Sequence, residues 1–195
     1  MRVILAEKPS VAQSIAAVLG ADQKKNGYLQ GENDLVSWCI GHLIELAPPE
    51  IYDARYAKWR REDLPIVPSA WESVVSDGTK KQFAVLKDLL NRTDVDEVVC
   101  ATDAGREGEL IFRMVYEKTG CTKPVKRFWI SSLEESAIRD GFRSLKPGTA
   151  YDALYRAALC RAQADWLVGI NGTRLYSRLY GTKLNVGRVM TPTLA

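Results

Sequence analysis

Two acid-bearing stretches of this chain have the residue types and spacing for phosphate chemistry. The first is Ala6-Glu7-Lys8-Pro9-Ser10, directly after the apolar run Val3-Ile4-Leu5. The second is Thr102-Asp103-Ala104-Gly105-Arg106-Glu107-Gly108-Glu109, directly after Val98-Val99-Cys100-Ala101. Each apolar run reads as a buried strand that ends on a carboxylate with a basic residue close by. Carboxyl ends of parallel strands are where open α/β sheets bind ligands. Asp103 and Glu107 are four apart across a strand-to-helix turn, so both can point into one pocket. Hard carboxylate oxygens in this number suit Mg²⁺, which keeps several waters for phosphate oxygens. Glu7 can be a third ligand, or the general acid or base. Lys8 and Arg106 would balance the charge of a phosphodiester. Gly105 and Gly108 allow a ligand to approach the backbone closely. The chain has no GxxxxGK[ST] and so no P-loop. The plainer alternatives are a solvated Glu7–Lys8 pair and a helix cap, with Asp103 at the cap and Glu107 as a first-turn acid.

Strands of this kind need helices to cover them, and the pattern supplies them. Residues 10–19 place Val11, Ile15, Val18 and Leu19 on one face, with Ser10 as cap and Gly20 as stop. Tyr28 to Trp38 reads as a hairpin around Gly31-Glu32-Asn33-Asp34, and Cys39-Ile40-Gly41-His42-Leu43 extends its second strand. From Pro48 to about Thr79, four prolines break any long helix and leave loops and short elements. A helix follows over Lys80–Leu90, a strand over Val95–Ala101 and a helix over Glu107–Lys118, closed by Gly120. Val125–Ile130 is the next strand, and Ser131 or Ser132 caps a helix through about Leu145 with Glu134 and Glu135 in its first turn. Lys146-Pro147-Gly148 then punctuates the chain. Beyond it lies a long helical stretch from Ala150 to about Leu179. The last residues read as a loop entering a helix, with Thr191 as cap and Pro192 at its first position. The strand–helix alternation predicts an α/β fold with a mostly parallel sheet flanked by helices. It also places Glu7 and Asp103 at the same edge. The chain stops as a helix begins, which points to a fragment.

Composition narrows the function classes. No apolar run approaches the roughly 18 residues of a membrane span, and Met1-Arg2-Val3 runs straight into a strand with no room for a signal peptide. The expectation is a cytoplasmic protein without a membrane partner. Cys39, Cys100, Cys121 and Cys160 form no CxxC pair, and His42 is the one histidine, so no zinc site is expected and the thiols read as buried and reduced. Net charge is +3. Residues 148–195 carry six basic and two acidic side chains, +4 in all, which leaves −1 for residues 1–147. A basic segment beside a mildly acidic one suits either a polyanionic partner or a solvated helix face.

Taken together, these stretches resemble a family. Ala6–Ser10, Thr102–Glu109 and Gly187-Arg188-Val189-Met190-Thr191-Pro192-Thr193-Leu194 are similar to motifs of the type IA DNA topoisomerases, of the bacterial topoisomerase III kind. Trp38–Leu43, Asp63–Pro68 and Ala164–Asn171 match as well, in the family's order along essentially the whole chain. The resemblance implies a Rossmann-like Toprim domain over residues 1–147. It also implies the start of a helical, single-stranded-DNA-binding domain over 148–195. It implies Glu7 as the acid serving a leaving 3′ oxygen, Lys8 as the stabiliser of the phosphate, and Glu7, Asp103 and Glu107 as ligands of Mg²⁺. The family usually has a second aspartate where this chain has Gly105, which leaves one metal ion supported. It implies DNA contacts by Trp59, Trp166, Arg174 and the loop Asn185, Val186, Gly187, Arg188, Val189 and Met190. The family commonly has glutamine at the position of Met190, so one polar contact is lost. His42 reads as a structural hydrogen-bonding residue.

The reaction implied is ATP-independent breakage, passage and rejoining of single-stranded DNA through a 5′-phosphotyrosyl intermediate. Tyr176 and Tyr180 lie where the family makes DNA contacts. The nucleophilic tyrosine is therefore expected in the remainder of the same polypeptide, and this segment alone is expected not to cleave. Two other readings share the same residues. One is another Toprim enzyme, a primase or nuclease. The other is a non-catalytic single-strand-binding module.

Overall fold

A computed structural model describes residues 1–194. They form two compact units, one made of Met1–Ile44 and Val75–Ala158, the other of Glu45–Val74 and the chain from Leu159 onward. The expected boundary at 147/148 cuts the chain once in sequence order. The units divide it differently, because residues 45–74 cluster with the segment from Leu159 onward.

The first unit is built on a seven-stranded sheet. Its strands are β1 (Arg2–Ala6), β2 (Gln23–Lys25), β3 (Tyr28–Gln30), β4 (Asp34–Trp38), β7 (Glu97–Ala101), β8 (Val125–Arg127) and β9 (Lys146–Pro147), in the order β2-β3-β4-β1-β7-β8-β9. The four central strands β4, β1, β7 and β8 are parallel, and the outer pairings β2–β3, β3–β4 and β8–β9 are antiparallel. Strand β1 is central because it is apolar on both faces: Val3, Ile4, Leu5 and Ala6 are all fully buried. One face of the sheet packs Ile4, Ala6, Val36, Val99 and Ala101 against Ala12, Ile15 and Ala16 of α1 (Pro9–Leu19) and Ile138 of α5 (Glu135–Arg143). The residues alternating with these point to the other face, where α3 (Lys80–Leu90) and α4 (Arg106–Thr119) lie. Gln82 of α3 donates there to Ser37 Oγ at 3.2 Å and to the Trp38 carbonyl at 2.9 Å. Parallel pairing of Ala6 with Ala101 brings the ends of β1 and β7 level.

The chain leaves and re-enters this unit through β5 (Ile44–Leu46) and β6 (Ser73–Val75), which pair with each other. In the second unit, α2 (Pro49–Tyr52) and short 3₁₀ turns face the later part of α6 (Asp152–Tyr180). Asn171 of α6 accepts from the Ile66 amide at 2.6 Å and donates to the Ile66 carbonyl at 2.9 Å. The last described element of this unit is α7 (Met190–Leu194). No helix among the described residues is long and apolar enough to cross a membrane.

Several sequence expectations shift. Lys8, not Ser10, is the cap position of α1, because Pro9 fits the first helical turn and needs no amide partner. Residues 39–43 do not prolong β4. Gly41 sits at φ +68°, which no strand accepts. β8 stops at Arg127 and α5 starts at Glu135, with Ser132 accepting from the Glu134 amide in the intervening loop. α7 starts at Met190, and Thr191 instead accepts from the Gly187 amide. The short edge strands β2 and β9 carry no apolar alternation and were invisible to periodicity.

Candidate active site

Strand ends and helix starts deliver every acidic candidate to one edge of the first unit. Glu7 follows β1, Asp103 follows β7, and Glu107 stands in the first turn of α4. The Asp103 backbone amide donates to Glu7 Oε2 at 3.2 Å. Lys8 Nζ lies 3.5 Å from Asp103 Oδ2 and 3.9 Å from Glu7 Oε1. Glu7, Lys8 and Asp103 thus form one charged group. The Glu7 side chain is its buried member, 12% exposed, while Asp103 and Lys8 face solvent. Asp103 does not cap α4. Gly105 holds the cap position, and no side chain bonds the helix amides there. The capping alternative therefore falls away for Asp103, whose carboxylate is turned to the edge.

Glu107 is oriented differently. Its Oε2 lies 3.6 Å from His42 Nε2, with both side chains about half exposed. His42 arrives from the loop after β4, so the ends of β4, β1 and β7 meet here. Glu7 and Asp103 converge on the positive charge of Lys8, which is the polarity a cation site needs. Their oxygens and that of Glu107 are the hard donors a small divalent cation prefers. The donor set fits such an ion in chemistry. Among the described residues, however, no three His, Cys, Asp or Glu side chains are grouped so as to hold one. Glu107 carries an ion-pair contact of its own, with His42. Arg106 is exposed at the same edge.

A buried ionic network beneath the edge was not foreseen. Arg127, fully buried at the end of β8, donates through Nε to Glu109 Oε2 at 3.0 Å. Its Nη1 donates to the carbonyls of Thr102 at 2.8 Å and Cys100 at 3.1 Å, and its Nη2 to the Asp103 carbonyl at 2.8 Å. Glu109 also accepts from Arg113, which reaches Asp152 at 2.8 Å. The guanidinium of Arg127 thus ties down the carbonyls of the loop that carries Asp103. The Trp129 ring lies against that guanidinium at 4.9 Å. Gly108 completes the fit. A β-carbon there would overlap the Asp103 carbonyl oxygen. The sequence signal was available: a charged residue at an inward position of a buried parallel strand demands a partner.

In the second unit the nucleic-acid candidates separate by environment. Trp166 sits edge-on to Tyr52 and Trp71, at 5.9 and 5.4 Å, and its indole N–H donates to the Ala47 carbonyl at 3.0 Å. Arg174 is 5% exposed, lies 5.4 Å from the Trp59 ring and donates to the Tyr56 carbonyl at 2.7 Å. Burial lowers its pKa, and its Nε has no partner. Trp59 itself keeps 37% of its surface exposed. In the terminal loop, Asn185 is exposed and Val186 is pinned through its amide to Thr173 Oγ1 at 2.9 Å. Gly187 bonds Thr191, Arg188 pairs with Asp165, and Val189 and Met190 are exposed.

Comparison with known proteins gives this geometry a context. Residues 2–133 match the Toprim domain family, and residues 149–195 match the DNA topoisomerase family. The chain is 55% identical over 194 residues to the DNA topoisomerase 3 of Shouchella clausii (strain KSM-K16), covering 100% of this chain and 27% of that protein. It is 52% identical over 193 residues to the DNA topoisomerase 3 of Bacillus thuringiensis (strain Al Hakam), covering 99% and 26%. The chain therefore spans about a quarter of the length of the curated relatives it matches. Its fold is similar to that of the full-length topoisomerase I from Thermotoga maritima, with a TM-score of 0.67 at 24% identity over 98% of this chain and 29% of that one. A parallel sheet that gathers acids at one edge and the Toprim match around it place this chain in the Toprim family, with a segment similar to the DNA topoisomerase family following it.

Proposed function

We propose that this chain supplies the phosphodiester-handling edge of a type IA DNA topoisomerase, which breaks and reseals single-stranded DNA without ATP. The observation that carries the reading is the joining of Glu7, Lys8 and Asp103 across the ends of β1 and β7. Residues 1–147 would form the catalytic Toprim part. Residues 148–195 would open a helical part that binds single strands. The site of action is the cytoplasm.

Glu7 would give a proton to a leaving 3′ oxygen and take it back on resealing. Its partial burial and its bond from the Asp103 amide fix the carboxylate in one orientation. Lys8 reaches over both acids with an exposed ammonium that can meet a phosphate oxygen. Glu7, Asp103 and Glu107 would hold Mg²⁺, with Glu107 leaving His42 to do so. A bound Mg²⁺ would neutralise phosphate charge and orient the 3′ end. The tyrosine that attacks the phosphodiester belongs to another part of the polypeptide. The phosphotyrosyl bond conserves the energy of the broken linkage. Trp59 and the basic residues of 148–195 would bind the strand by stacking and charge.

A labelled single-stranded oligonucleotide and the full-length protein test this. The expected products are a 5′-linked covalent adduct and a free 3′-OH, resealed on addition of Mg²⁺. Cutting by water, with free ends and no adduct, would instead assign a nuclease.

A further inference from the structure

We infer that the cavity beside Asp103 is a nucleoside subsite, seating the sugar and base of the nucleotide whose 3′ oxygen Glu7 serves. The inference rests on the proposed function and names a piece of substrate that the acids alone do not hold. The cavity measures about 340 Å³, inside the roughly 300–1,000 Å³ of small-molecule sites. Asp103 and Ala104 form one rim, at the end of β7. Ser131, Ser132 and Leu133 form the other, in the loop after β8.

The walls decide the chemistry. Val11, Phe128, Ile130 and Leu133 present apolar surface, and Asp103 is the one charged side chain in the lining. An apolar wall beside a carboxylate repels a free phosphate and accepts a flat, uncharged group. Phe128 is 3% exposed and stacks on Phe142 at 4.5 Å, so the floor is rigid. A β-carbon at Gly141 would come within 2.6 Å of the Phe128 ring and 2.7 Å of Ile130. The glycine therefore lets α5 close beneath the cavity. The two serine hydroxyls supply polar contacts at the rim. Ser132 Oγ accepts from the Glu134 amide at 3.2 Å and keeps its own proton to donate. Hydroxyls donate or accept as required, so this rim serves the edge of any base and does not discriminate among them.

Position links the cavity to the acids. The Asp103 residue that forms its rim also donates its amide to Glu7 and pairs with Lys8 at 3.5 Å. A phosphodiester at Lys8 with its 3′ oxygen at Glu7 has its attached sugar at the cavity mouth. Seating that sugar and base holds the 3′ oxygen in line for resealing, an orientation effect.

The test uses the full-length protein, single-stranded oligonucleotides with one base removed, and the variant Ser131→Phe, whose exposed loop position lets the ring fill the cavity. Removing the base from the nucleotide that carries the 3′ oxygen is expected to slow resealing about tenfold, on the order of the apolar burial lost with the base. Removing the base on the 5′-phosphate side leaves the rate unchanged. Ser131→Phe slows resealing of the intact strand to a similar degree, and the missing base then adds nothing. Resealing indifferent to the base on the 3′ side, or sensitive only to the one on the 5′ side, overturns the subsite. So do variant and abasic effects that multiply. The wild-type measurement with abasic strands stands whether or not the variant folds. Failure to form any covalent adduct on an intact strand overturns the proposed function and the subsite with it. Normal adducts that ignore the base overturn the subsite alone.

Discussion

The backbone amide of Asp103 donates to the Glu7 carboxylate at 3.2 Å, a bond between residues 96 apart in sequence. It exists because β1 and β7 are parallel neighbours whose ends are level at Ala6 and Ala101. The loop bearing Asp103 is held from below by Arg127, whose guanidinium bonds the Thr102 and Asp103 carbonyls. The position of the acidic edge therefore depends on a buried cation with no place in the chemistry itself.

Replacing that cation has a defined cost. Arg127→Ala leaves the carboxylate of Glu109, 1% exposed, with one basic partner fewer and frees the loop carbonyls. Breaking a buried pair from one side costs about 3–5 kcal/mol. Urea denaturation of the variant is expected to show a loss of that size. A loss under about 1 kcal/mol, the scale of surface pairs, would contradict the network's role.

Two glycines four residues or fewer from the acids are expected to behave in opposite ways. Gly108→Ala drives a β-carbon into the Asp103 carbonyl and should cost about 1–3 kcal/mol, the range for overpacking. Gly105 has extended backbone, and a β-carbon there meets nothing within 4 Å. Gly105→Asp should leave stability within about 0.5 kcal/mol and lower the Mg²⁺ concentration needed for resealing, since it adds a carboxylate at the edge. Thermal unfolding and a metal titration of the full-length protein read both.

Much of this site was legible in the residues. An apolar β-branched run that ends on an acid is visible without coordinates, and parallel strands must end on one side. That is why Glu7 and Asp103 meet. Glu107 and His42 were beyond the pattern, because a helix periodicity does not say which partner a first-turn acid takes. The Arg127–Glu109 pair does not show in periodicity, although a charge at an inward strand position is rarer and more informative than an exposed one. The Cys39–Leu43 segment misled for another reason. Its apolar residues suit a strand, but Gly41 turns the chain, and strand propensity yields to one left-handed residue.

The two tryptophans assigned to the strand-binding surface should separate. Trp59→Ala removes a half-open ring and is expected to weaken single-strand binding by about 1–3 kcal/mol per stacked base, with little change in folding. Trp166→Ala breaks the edge contacts to Tyr52 and Trp71 and the bond to Ala47, so its effect falls on stability, about 3–5 kcal/mol. Fluorescence anisotropy with a labelled oligonucleotide and denaturant melts measure the two quantities. Equal loss of binding at unchanged stability for both variants would refute the division.

Alkaline pH should destabilise the first unit through its buried thiols. Burial raises the Cys39 pKa and pushes Cys100 up to about 11. The thiols of the unfolded chain ionise near their ordinary value of 9.0, so above that pH it has fewer bound protons than the folded chain. Stability is thus full below pH 9 and falls as pH rises toward 11. Melts between pH 8 and 11 should show that decline, and Cys100→Ala should flatten part of it. Cys160, the exposed thiol, is expected to react with maleimide in the folded protein while the three buried thiols do not.

The most direct measurement is the rate at which the covalent DNA complex of the full-length protein reseals in Mg²⁺, compared between the native chain and Glu7→Gln. The amide keeps the shape of the side chain and an acceptor for the Asp103 amide but cannot exchange a proton with the 3′ oxygen. Resealing at least about 100-fold slower, with unchanged affinity for the strand, is the predicted result. Resealing at the native rate would contradict the assignment of phosphodiester chemistry to this edge.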